Sequence, residues 1–320
     1  MYLLELGGQD DAFAAAEARS AASDVSVVAP GLATARGITD RVGNLAFTHR
    51  ASELVGRCDP DVESARTLLD AATVDREGTV AVRAVDVRGR TGIDTQHAER
   101  VLGSVLVDRG LEVDLDDPDH ELRACFGAGV CALGWLVAQS RRDFTQRQPT
   151  DRPFFQPGSM DPIEARALVN LAGAREGTTV LDPMCGTGGV LIEAGLVGAD
   201  VVGLDAQKKM VYGTRQNLAD ALDGDCAVVR GDATRLPFVD SAVDAAVFDV
   251  PYGRQSKIAG QSLPALVGDA LSEVRRVADR AVVVGDQSWA DAAREAGWTV
   301  TATFERPVHR SLTRYVMVCE

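Results

Sequence analysis

The sequence predicts an open α/β sheet in its C-terminal half, preceded by an α+β region. Residues 159–320 alternate strand-like and helix-like segments, an order typical of right-handed crossovers and a parallel sheet. Five such strands are followed by two strand-like runs with no helix between them, which predicts an antiparallel hairpin at the sheet edge. We therefore expect a sheet of seven strands that ends in a hairpin.

Local patterns place the elements of this half. A helix begins after Asp161, a good N-cap, with Pro162 at the first helical position and Glu164 placed to complete a capping box. The elements that follow are, in order, a strand in TTVLDP, a helix in GVLIEAGLVG, strands in ADVVGLDA, CAVVRGDA and DAAVFDV, a helix in LVGDALSEVRRVA and a strand in RAVVVGD. The closing segment, WTVTATFERPVHRSLTRYVMVCE, supplies the hairpin.

The first 145 residues or so are organised differently. TVAVRAVDVRG predicts a strand, TQHAERVLGSVLVDRG an amphipathic helix, and ELRACFGAGVCALGWLV a hairpin. This mixture indicates an α+β region, and it contains no nucleotide-binding loop. Three prolines interrupt SRRDFTQRQPTDRPFFQPG, so we expect an interdomain linker there.

Composition limits the classes of protein that remain. A chain of 320 residues that is 46% hydrophobic has room for two or three domains. MYLLELGGQD lacks the basic flank and the long apolar run of a signal or membrane span, so we expect a cytoplasmic protein. The six cysteines form no Cys-x-x-Cys pair and the four histidines are scattered, so neither a metal site nor a disulfide framework is predicted.

The charge excludes a generic basic nucleic-acid binder. The chain carries 47 acidic and 33 basic residues, a net charge of −14, and its only lysines are Lys208, Lys209 and Lys257. An acidic, lysine-poor surface suits a cytoplasm of very high salt, where repulsion between charges is screened over roughly a few Å. We favour a halophilic source over an acidic mesophilic enzyme.

A glycine-rich loop follows the first strand of the C-terminal half. VLDPMCGTGGV places Asp182 at the strand end, ahead of Gly186, Gly188 and Gly189. A dinucleotide site is one interpretation, because Asp205 follows at the next strand end. Asp182 argues against it, since a carboxylate there opposes a pyrophosphate but suits the positively charged amino group of a methionine moiety.

Acidic residues at successive strand ends favour the second interpretation. S-adenosylmethionine enzymes have this arrangement, and RGDA supplies Asp232 where such enzymes contact the adenine amino group. DVPY follows at the fourth strand end. We therefore predict S-adenosyl-L-methionine as the cofactor.

DVPY contains the groups needed to prepare the exocyclic amine of a nucleobase. The lone pair of such an amine is delocalised into the ring, so the amine is a poor nucleophile. Hydrogen bonds from its two protons to the Asp249 carboxylate and the Val250 carbonyl would pull the nitrogen toward tetrahedral geometry. Tyr252 would stack on a base flipped out of its helix.

The motif resembles the Asp-Pro-Pro-Tyr motif of amino-directed methyltransferases, with Val250 in place of the first proline. Valine keeps the carbonyl but loses the fixed φ of proline, which puts the rigidity of the motif in question. Cys185 is not predicted to be a nucleophile, because carbon-5 methyltransferases have a cysteine after the motif proline and this chain has Tyr252 there.

A wider resemblance extends from about residue 40 to the C-terminus. RPFFQPGSMDPIEARALVNLAG, FDVPYGRQS and HRSLTRYVMV together resemble the archaeal tRNA (guanosine-10 N2)-methyltransferases. ERVLGSVLVDRGLEVDLDDPDHELRA is similar to that family's THUMP domain, an RNA-binding module that grips the acceptor end of tRNA. The resemblance implies a Rossmann-like methyltransferase sheet and mono- or dimethylation of the guanine 2-amino group.

The resemblance also implies domains and site residues. The implied domains are a ferredoxin-like region at 1–50, a THUMP domain at 51–145, a linker at 146–158 and a methyltransferase domain at 159–320. The implied target-amine residues are Asp249, Val250, Pro251 and Tyr252. The expected cofactor residues are Asp182, Pro183, Gly186, Gly188, Asp205, Asp232 and Phe155.

The remaining candidates concern RNA. The clearest basic cluster in the chain, expected either to meet phosphate or to form a solvated linker, is Arg141, Arg142, Arg147 and Arg152. Phe154 and Phe155 border the cofactor or the flipped base, or pack in the core. His309 and Arg310 match the family's C-terminal motif.

Other functions stay open at this stage. The same motif serves DNA amino-methyltransferases and guanine-N2 methyltransferases that act on other tRNA or rRNA positions, and Val250 is compatible with an RNA-binding protein that has lost catalysis. The N-terminal half lacks a DNA-reading helix and resembles an RNA module, so tRNA is the expected partner, with no DNA and no membrane. A small activator subunit, as in the eukaryotic relatives, is a further possible partner.

Overall fold

The computed structural model describes residues 1–224, 226–252, 262–309 and 312–320. The chain divides into two compact units, an N-terminal unit at Met1–Arg141 and a C-terminal unit at Arg142–Glu320. Among the described residues, no helix combines the length and the apolar character needed to cross a membrane.

The N-terminal unit has ten strands, eight of which form one sheet. Its strands are β1 (Tyr2–Leu6), β2 (Ala22–Ser23), β3 (Ser26–Ala29), β4 (Leu32–Ala35), β5 (Gly37–Ile38), β6 (Thr48–Cys58), β7 (Thr79–Asp86), β8 (Glu112–Val113), β9 (His120–Gly127) and β10 (Val130–Gln139). The sheet order is β3-β4-β1-β6-β10-β9-β7-β8, while β2 and β5 pair separately. All pairs in the large sheet are antiparallel except those of β7 with β8 and β9.

Three helices accompany this sheet, at α1 (Asp11–Ala18), α2 (Val62–Ala71) and α3 (Thr95–Val107). The predicted strand at β7, helix at α3 and hairpin of β9 with β10 are all confirmed. Asp94 caps α3 by accepting a hydrogen bond from the amide of His97 at 2.9 Å. Leu102 and Leu106 then fall on the buried face of α3, within the core formed with Phe126 of β9.

The C-terminal unit has the predicted sheet of seven strands. Its strands are β11 (Thr179–Asp182), β12 (Asp200–Asp205), β13 (Ala227–Arg230), β14 (Val243–Asp249), β15 (Ala278–Gly285), β16 (Val300–His309) and β17 (Leu312–Cys319). Its helices are α4 (Pro162–Leu171), α5 (Gly189–Leu196), α6 (Lys208–Ala221), α7 (Leu263–Val277) and α8 (Ala290–Glu295). The order is β13-β12-β11-β14-β15-β17-β16, and among these strands only β17 runs antiparallel to its neighbours, β15 and β16, so β16 is parallel to the other five.

This strand order decides where a ligand site forms. The chain runs outward from β11 through β12 to β13 and then returns to β14 on the other side of β11. The chain that leaves β11 and the chain that leaves β14 therefore run to opposite sides of the sheet, and a crevice opens between the carboxyl ends of these two strands. Such a topological switch point is where open α/β sheets bind their ligands.

The start of α4 agrees with its predicted cap but not with the predicted capping box. Asp161 accepts a hydrogen bond from the amide of Ile163 at 2.9 Å, and Pro162 opens the helix. The carboxylate of Glu164 instead forms an ion pair with Arg306 of β16, at 2.5 Å. A long-range ion pair has therefore replaced the expected local contact.

The segment expected to be a linker, residues 146–158, belongs to the C-terminal unit, because the division of the chain falls between Arg141 and Arg142. Short 3-10 turns at Phe144–Arg147 and Pro149–Asp151 give the segment regular structure. Within the segment, the amide and the carbonyl of Phe154 are both hydrogen-bonded to the side chain of Asn217 on α6, at 2.8 Å. The prolines of residues 146–158 thus prevent long helices and strands there, but the segment still packs on the core of the C-terminal unit.

Candidate active site

A cleft of about 190 Å³ opens at the switch point between β11 and β14. Its walls come from the segment 156–160, from the glycine loop after β11, and from the carboxylates of Asp182 and Asp249. Two of the residues predicted for separate roles, one for the cofactor and one for the target amine, therefore face the same space.

The glycine loop takes its shape from backbone conformations that favour glycine. Gly186 has φ of 52° and Gly188 has φ of 81°, both in the left-handed region. A Cβ on Gly188 would lie 2.8 Å from Cγ2 of Thr214, so a side chain there would also collide with α6. Thr214 fixes the loop from the other side, by donating its hydroxyl to the Gly186 carbonyl at 2.7 Å.

Asp182 is the most buried carboxylate of the cleft, at 3% exposure, and Pro183 beside it is also buried. One oxygen of Asp182 accepts a hydrogen bond from the amide of Met184 at 3.0 Å. Burial raises the pKa of Asp182 well above its usual value, and the negative charges of Asp205 and Asp249 raise it further. A cationic ligand in the cleft would relieve this concentration of negative charge.

Asp205 supports the loop from the end of β12. Its two oxygens accept hydrogen bonds from the amides of Gly186, at 3.1 Å, and Gln207, at 2.8 Å. Burial raises the pKa of Asp205, while these two amides oppose the rise. The carboxylate therefore holds the glycine loop against β12, which is a structural role in addition to the cofactor contact expected from the sequence.

Asp232, which follows β13, is exposed, and one of its oxygens accepts hydrogen bonds from the amide and hydroxyl of Thr234.

The two phenylalanines before α4, Phe154 and Phe155, have different surroundings. Phe154 packs on α6, where a Cβ on Gly213 would strike its ring, and Asn217 bonds both its amide and its carbonyl at 2.8 Å. Phe155 is 40% exposed but is not among the residues that line the cleft.

Asp249 ends β14, and its two oxygens have different surroundings. Oδ2 accepts a hydrogen bond from the Tyr252 hydroxyl at 3.1 Å and lies 4.0 Å from Nε of Arg314. Arg314 Nε also donates to the Tyr252 hydroxyl oxygen at 3.1 Å. Oδ1 is buried and has no hydrogen-bond partner within the described part of the chain. One oxygen of Asp249 is thus held by the protein while the other remains available as an acceptor.

The electrostatics of this trio follow from burial. Burial raises the pKa of Asp249 to about 6, with Arg314 and the Tyr252 hydroxyl opposing the rise and Asp286 adding to it. Burial and the neighbouring Asp249 charge raise the pKa of Tyr252, so the phenol stays protonated and acts as a donor at neutral pH. Asp249 itself is ionised there.

The backbone amide of Val250 forms a hydrogen bond that a proline at this position could not form. Its amide donates to the carbonyl of Val284 at 2.8 Å, which extends the pairing of β14 with β15 by one residue. Its side chain is 2% exposed and packs in the main core of the unit. Pro251 follows half-buried. A strand hydrogen bond therefore supplies rigidity where the related motif uses a proline ring.

Comparisons with known proteins give this site a context. A family model described as UPF0020, RMKL-like, methyltransferase domain matches residues 149–315. The chain is 36% identical to the tRNA (guanine(10)-N2)-dimethyltransferase of Methanothermobacter thermautotrophicus, over 86% of this chain and 83% of that protein. It is 33% identical to the protein of the same name from Pyrococcus abyssi, over 76% and 74%. The chain belongs to the RMKL-like methyltransferase family.

A solved structure agrees on the fold of this RMKL-like methyltransferase. TrmN from Thermus thermophilus superposes with a TM-score of 0.51 at 22% identity, and the match covers 100% of this chain and 99% of that one. The matched family domain begins at residue 149, inside the segment expected to be a linker, which agrees with the packing of that segment on the C-terminal unit.

The four arginines predicted to bind RNA are not equivalent. Arg141 and Arg142 are exposed. Arg147 forms a two-pronged ion pair with Glu193 of α5, at 2.6 and 3.2 Å, and Glu193 is fully buried. Arg152 is only 9% exposed, and its guanidinium lies against Gly189 at the start of α5. Arg147 and Arg152 thus pack against the methyltransferase core, whereas Arg141 and Arg142 are exposed and Arg142 also lies over the Phe144 ring at 5.2 Å.

Sequence reasoning missed Arg314. It lies in the HRSLTRYVMV stretch, in which the sequence indicates His309 and Arg310 instead; Arg310 and the side chain of His309 lie outside the described residues. The available signal was a lone arginine in the strand LTRYVMVC, where an apolar side chain is expected at a buried position. Residues 253–261, which complete the FDVPYGRQS stretch, also lie outside the described residues.

Proposed function

We propose that this enzyme methylates the exocyclic N2 amine of guanosine 10 in tRNA, with S-adenosyl-L-methionine as the methyl donor, and that it adds one or two methyl groups. The names of its relatives support guanine N2 and tRNA. The observation that carries the chemistry is the buried, unoccupied Oδ1 of Asp249 beside an oriented Tyr252.

The acceptor arrangement suits a primary amine with two protons. Oδ1 of Asp249 accepts one proton of the amine in a hydrogen bond, and the Val250 carbonyl accepts the other. Both acceptors belong to groups that the fold holds in place, since Val250 is tied to Val284 and Oδ2 of Asp249 is tied to Tyr252. Acceptors that are fixed before the reaction lower the cost of reorganisation in the transition state.

The cleft fits the proposed methyl donor. When bound, S-adenosyl-L-methionine supplies a methyl group carried on a positively charged sulfur. The negative charges of Asp205 and Asp249 raise the pKa of Asp182, so the three carboxylates match a ligand with a sulfonium and an ammonium group. Asp182 and the glycine loop would hold the methionine part, and Asp205, Asp232 and Phe155 the nucleoside part.

Tyr252 has two tasks in this proposal. Its ring offers a stacking surface for the flipped guanine, and its hydroxyl occupies Oδ2 of Asp249. Because the hydroxyl is bonded to both Asp249 and Arg314, the ring has a defined orientation before the base arrives. An RNA-binding protein that has lost catalysis has no need for this arrangement, so we favour the active enzyme.

We further propose that the N-terminal unit recognises tRNA, through a ferredoxin-like region at 1–50 and a THUMP domain from residue 51 onward. The resemblance of residues 99–124 to a THUMP domain supports this assignment. The net charge of −14 supports a halophilic source, in which shape and stacking contribute more to RNA binding than phosphate contacts.

The test uses the purified chain, unmodified tRNA transcript and radiolabelled S-adenosyl-L-methionine, followed by mass spectrometry of the nucleosides. The expected products are N2-methylguanosine and N2,N2-dimethylguanosine. A transcript with adenosine at position 10 is the matched control and is expected to take up no label. Equal labelling of the two transcripts would contradict the assigned position, and activity without an added protein would show that an activator subunit is dispensable.

A further inference from the structure

We propose that Arg314 is a positioning residue for methyl transfer, which orients the Tyr252 hydroxyl so that it occupies Oδ2 of Asp249 and leaves Oδ1 for the target amine. This inference rests on the proposed function. It adds a residue on the C-terminal hairpin, distant in sequence from the DVPY motif, to the machinery of the site.

The geometry places Arg314 where it has this effect. The residue is 7% exposed and lies on β17, one strand beyond β15 from the end of β14. The axes of β14 and β17 are therefore separated by two strand spacings, ~9.5 Å. Arg314 bridges this separation with its long side chain, and its Nε reaches the Tyr252 hydroxyl oxygen at 3.1 Å.

The hydrogen-bonding chemistry fixes the direction of the Tyr252 proton. A guanidinium has only donors, so Nε of Arg314 must use a lone pair of the phenol oxygen. The single phenol proton is then left to point to Oδ2 of Asp249, which accepts it at 3.1 Å. Without Arg314 the hydroxyl is free to rotate, and both oxygens of Asp249 compete for the amine and the phenol.

The charge of Arg314 has a second consequence. The titratable and charged groups that face Asp249 are Tyr252 on its own loop, Arg314 on β17, Asp286 after β15 and Asp182 after β11. Of these only Arg314 is cationic. Together with the Tyr252 hydroxyl, it therefore lowers the pKa of Asp249 against the effects of burial and of Asp286. Glu164, which acts electrostatically on Arg314, is itself paired with Arg306.

The experiment compares Arg314→Met and Arg314→Lys with wild type and with Tyr252→Phe. Arg314→Met is expected to lower kcat on tRNA at least tenfold and to move the acid limb of the kcat profile to higher pH. Its affinity for S-adenosylhomocysteine, measured by calorimetry, is expected to stay within about threefold. Arg314→Lys keeps the charge but not the planar guanidinium, so it should lower kcat and leave the acid limb in place.

A double-mutant cycle isolates the positioning role. If Arg314 acts through the phenol, Arg314→Met should cost less in the Tyr252→Phe background than in wild type. Arg280→Met is the matched control, because Arg280 lies near the start of β15, at the opposite end of that strand from the cleft, and forms an ion pair with Glu320. This control is expected to leave the acid limb unmoved.

Two outcomes would overturn the inference: additive effects of the Arg314 and Tyr252 variants, or a wild-type acid limb in Arg314→Met. If Arg314→Met fails to fold, Arg314→Lys combined with Tyr252→Phe still decides the question by the same cycle. Failure of the proposed function is distinguished separately, because wild type itself would then leave guanosine 10 of the tRNA transcript unmethylated, whatever the Arg314 variants do.

Discussion

Replacing Asp249 by alanine is expected to stop methyl transfer while leaving the binding of S-adenosylhomocysteine nearly unchanged. The side chain lies at the end of β14, with Oδ2 held by Tyr252 at 3.1 Å and Oδ1 buried without a partner among the described residues. Alanine removes both oxygens, and with them the acceptor proposed for the target amine. S-adenosylhomocysteine carries a neutral sulfur, and its ammonium group is assigned to Asp182, so its affinity is expected to depend little on the charge of Asp249.

The size of the effect follows from the site. A hydrogen bond to a charged group contributes about 1.5–3 kcal/mol, and loss of a fixed group that acts in the transition state lowers kcat by about 10²–10³. Oδ1 of Asp249 is buried without a partner among the described residues and the pKa of the carboxyl is raised to about 6, so this oxygen is poorly solvated and attracts a donor strongly. We expect kcat to fall by at least about a hundredfold, or ~2.7 kcal/mol.

The assay measures kcat on unmodified tRNA transcript and the Kd of S-adenosylhomocysteine by calorimetry. Asp244→Ala is the matched control, because Asp244 lies on the same strand and bonds the amide of Thr179, away from the cleft. That variant is expected to keep wild-type kcat. If Asp249→Ala retains more than about a tenth of wild-type kcat, a loss under ~1.4 kcal/mol, then the role given to Asp249 is wrong.

Four further predictions follow from the same structure. The fragment 142–320 is expected to bind S-adenosylhomocysteine with the affinity of the full chain but to methylate tRNA poorly, and undiminished activity would refute the assignment of RNA recognition to the N-terminal unit. Burial raises the pKa of Asp249 to about 6, so above that pH the ionised carboxylate disfavours folding by about 2–3 kcal/mol, and this penalty disappears as pH falls toward ~4. Asp249→Asn should therefore melt at a higher temperature than wild type at pH 8 and at the same temperature as wild type at pH 4. Equal melting temperatures of the variant and wild type at both pH values would contradict this expectation. Val250→Pro removes the amide that bonds Val284, so a loss of about 0.5–1.5 kcal/mol of unfolding free energy is expected, and denaturant titration showing no loss would argue that the bond is unimportant. Finally, tRNA affinity should change little between about 0.2 M and 2 M KCl while fold stability rises, and a steep log–log loss of affinity, with a slope of several times −0.9, would rule out recognition by shape and stacking.

Much of the site could be predicted from the sequence because parallel strands bring their carboxyl ends to one edge of the sheet. Asp182 and Asp249 were assigned to strand ends by local pattern alone, and the strand order then places both on one cleft. The hairpin of β16 and β17 was likewise predictable from the sequence, because no helix-like segment separates the two strand-like segments. These inferences depend on periodicity and order, which a sequence displays directly.

The parts that could not be predicted depend on contacts between distant residues. Arg314 meets Tyr252 across 62 positions of the chain, and nothing local to the strand LTRYVMVC indicates its partner. Arg147 seemed available to RNA because the acidic residue that binds it, Glu193, lies on a helix 46 positions away. Glu164 fits the local pattern of a capping box, but the ion pair with Arg306 is the contact it makes.

Nucleoside analysis of tRNA from a deletion strain tests the central claim most directly. The account predicts that N2-methylated guanosine disappears from position 10 when the gene is deleted, returns with the wild-type gene, and does not return with Asp249→Ala. Each strain's tRNA is digested to oligonucleotides and analysed by mass spectrometry, so that position 10 is read separately from other modified guanosines. Unchanged methylation at position 10 in the deletion strain, or its full restoration by Asp249→Ala, would contradict the account.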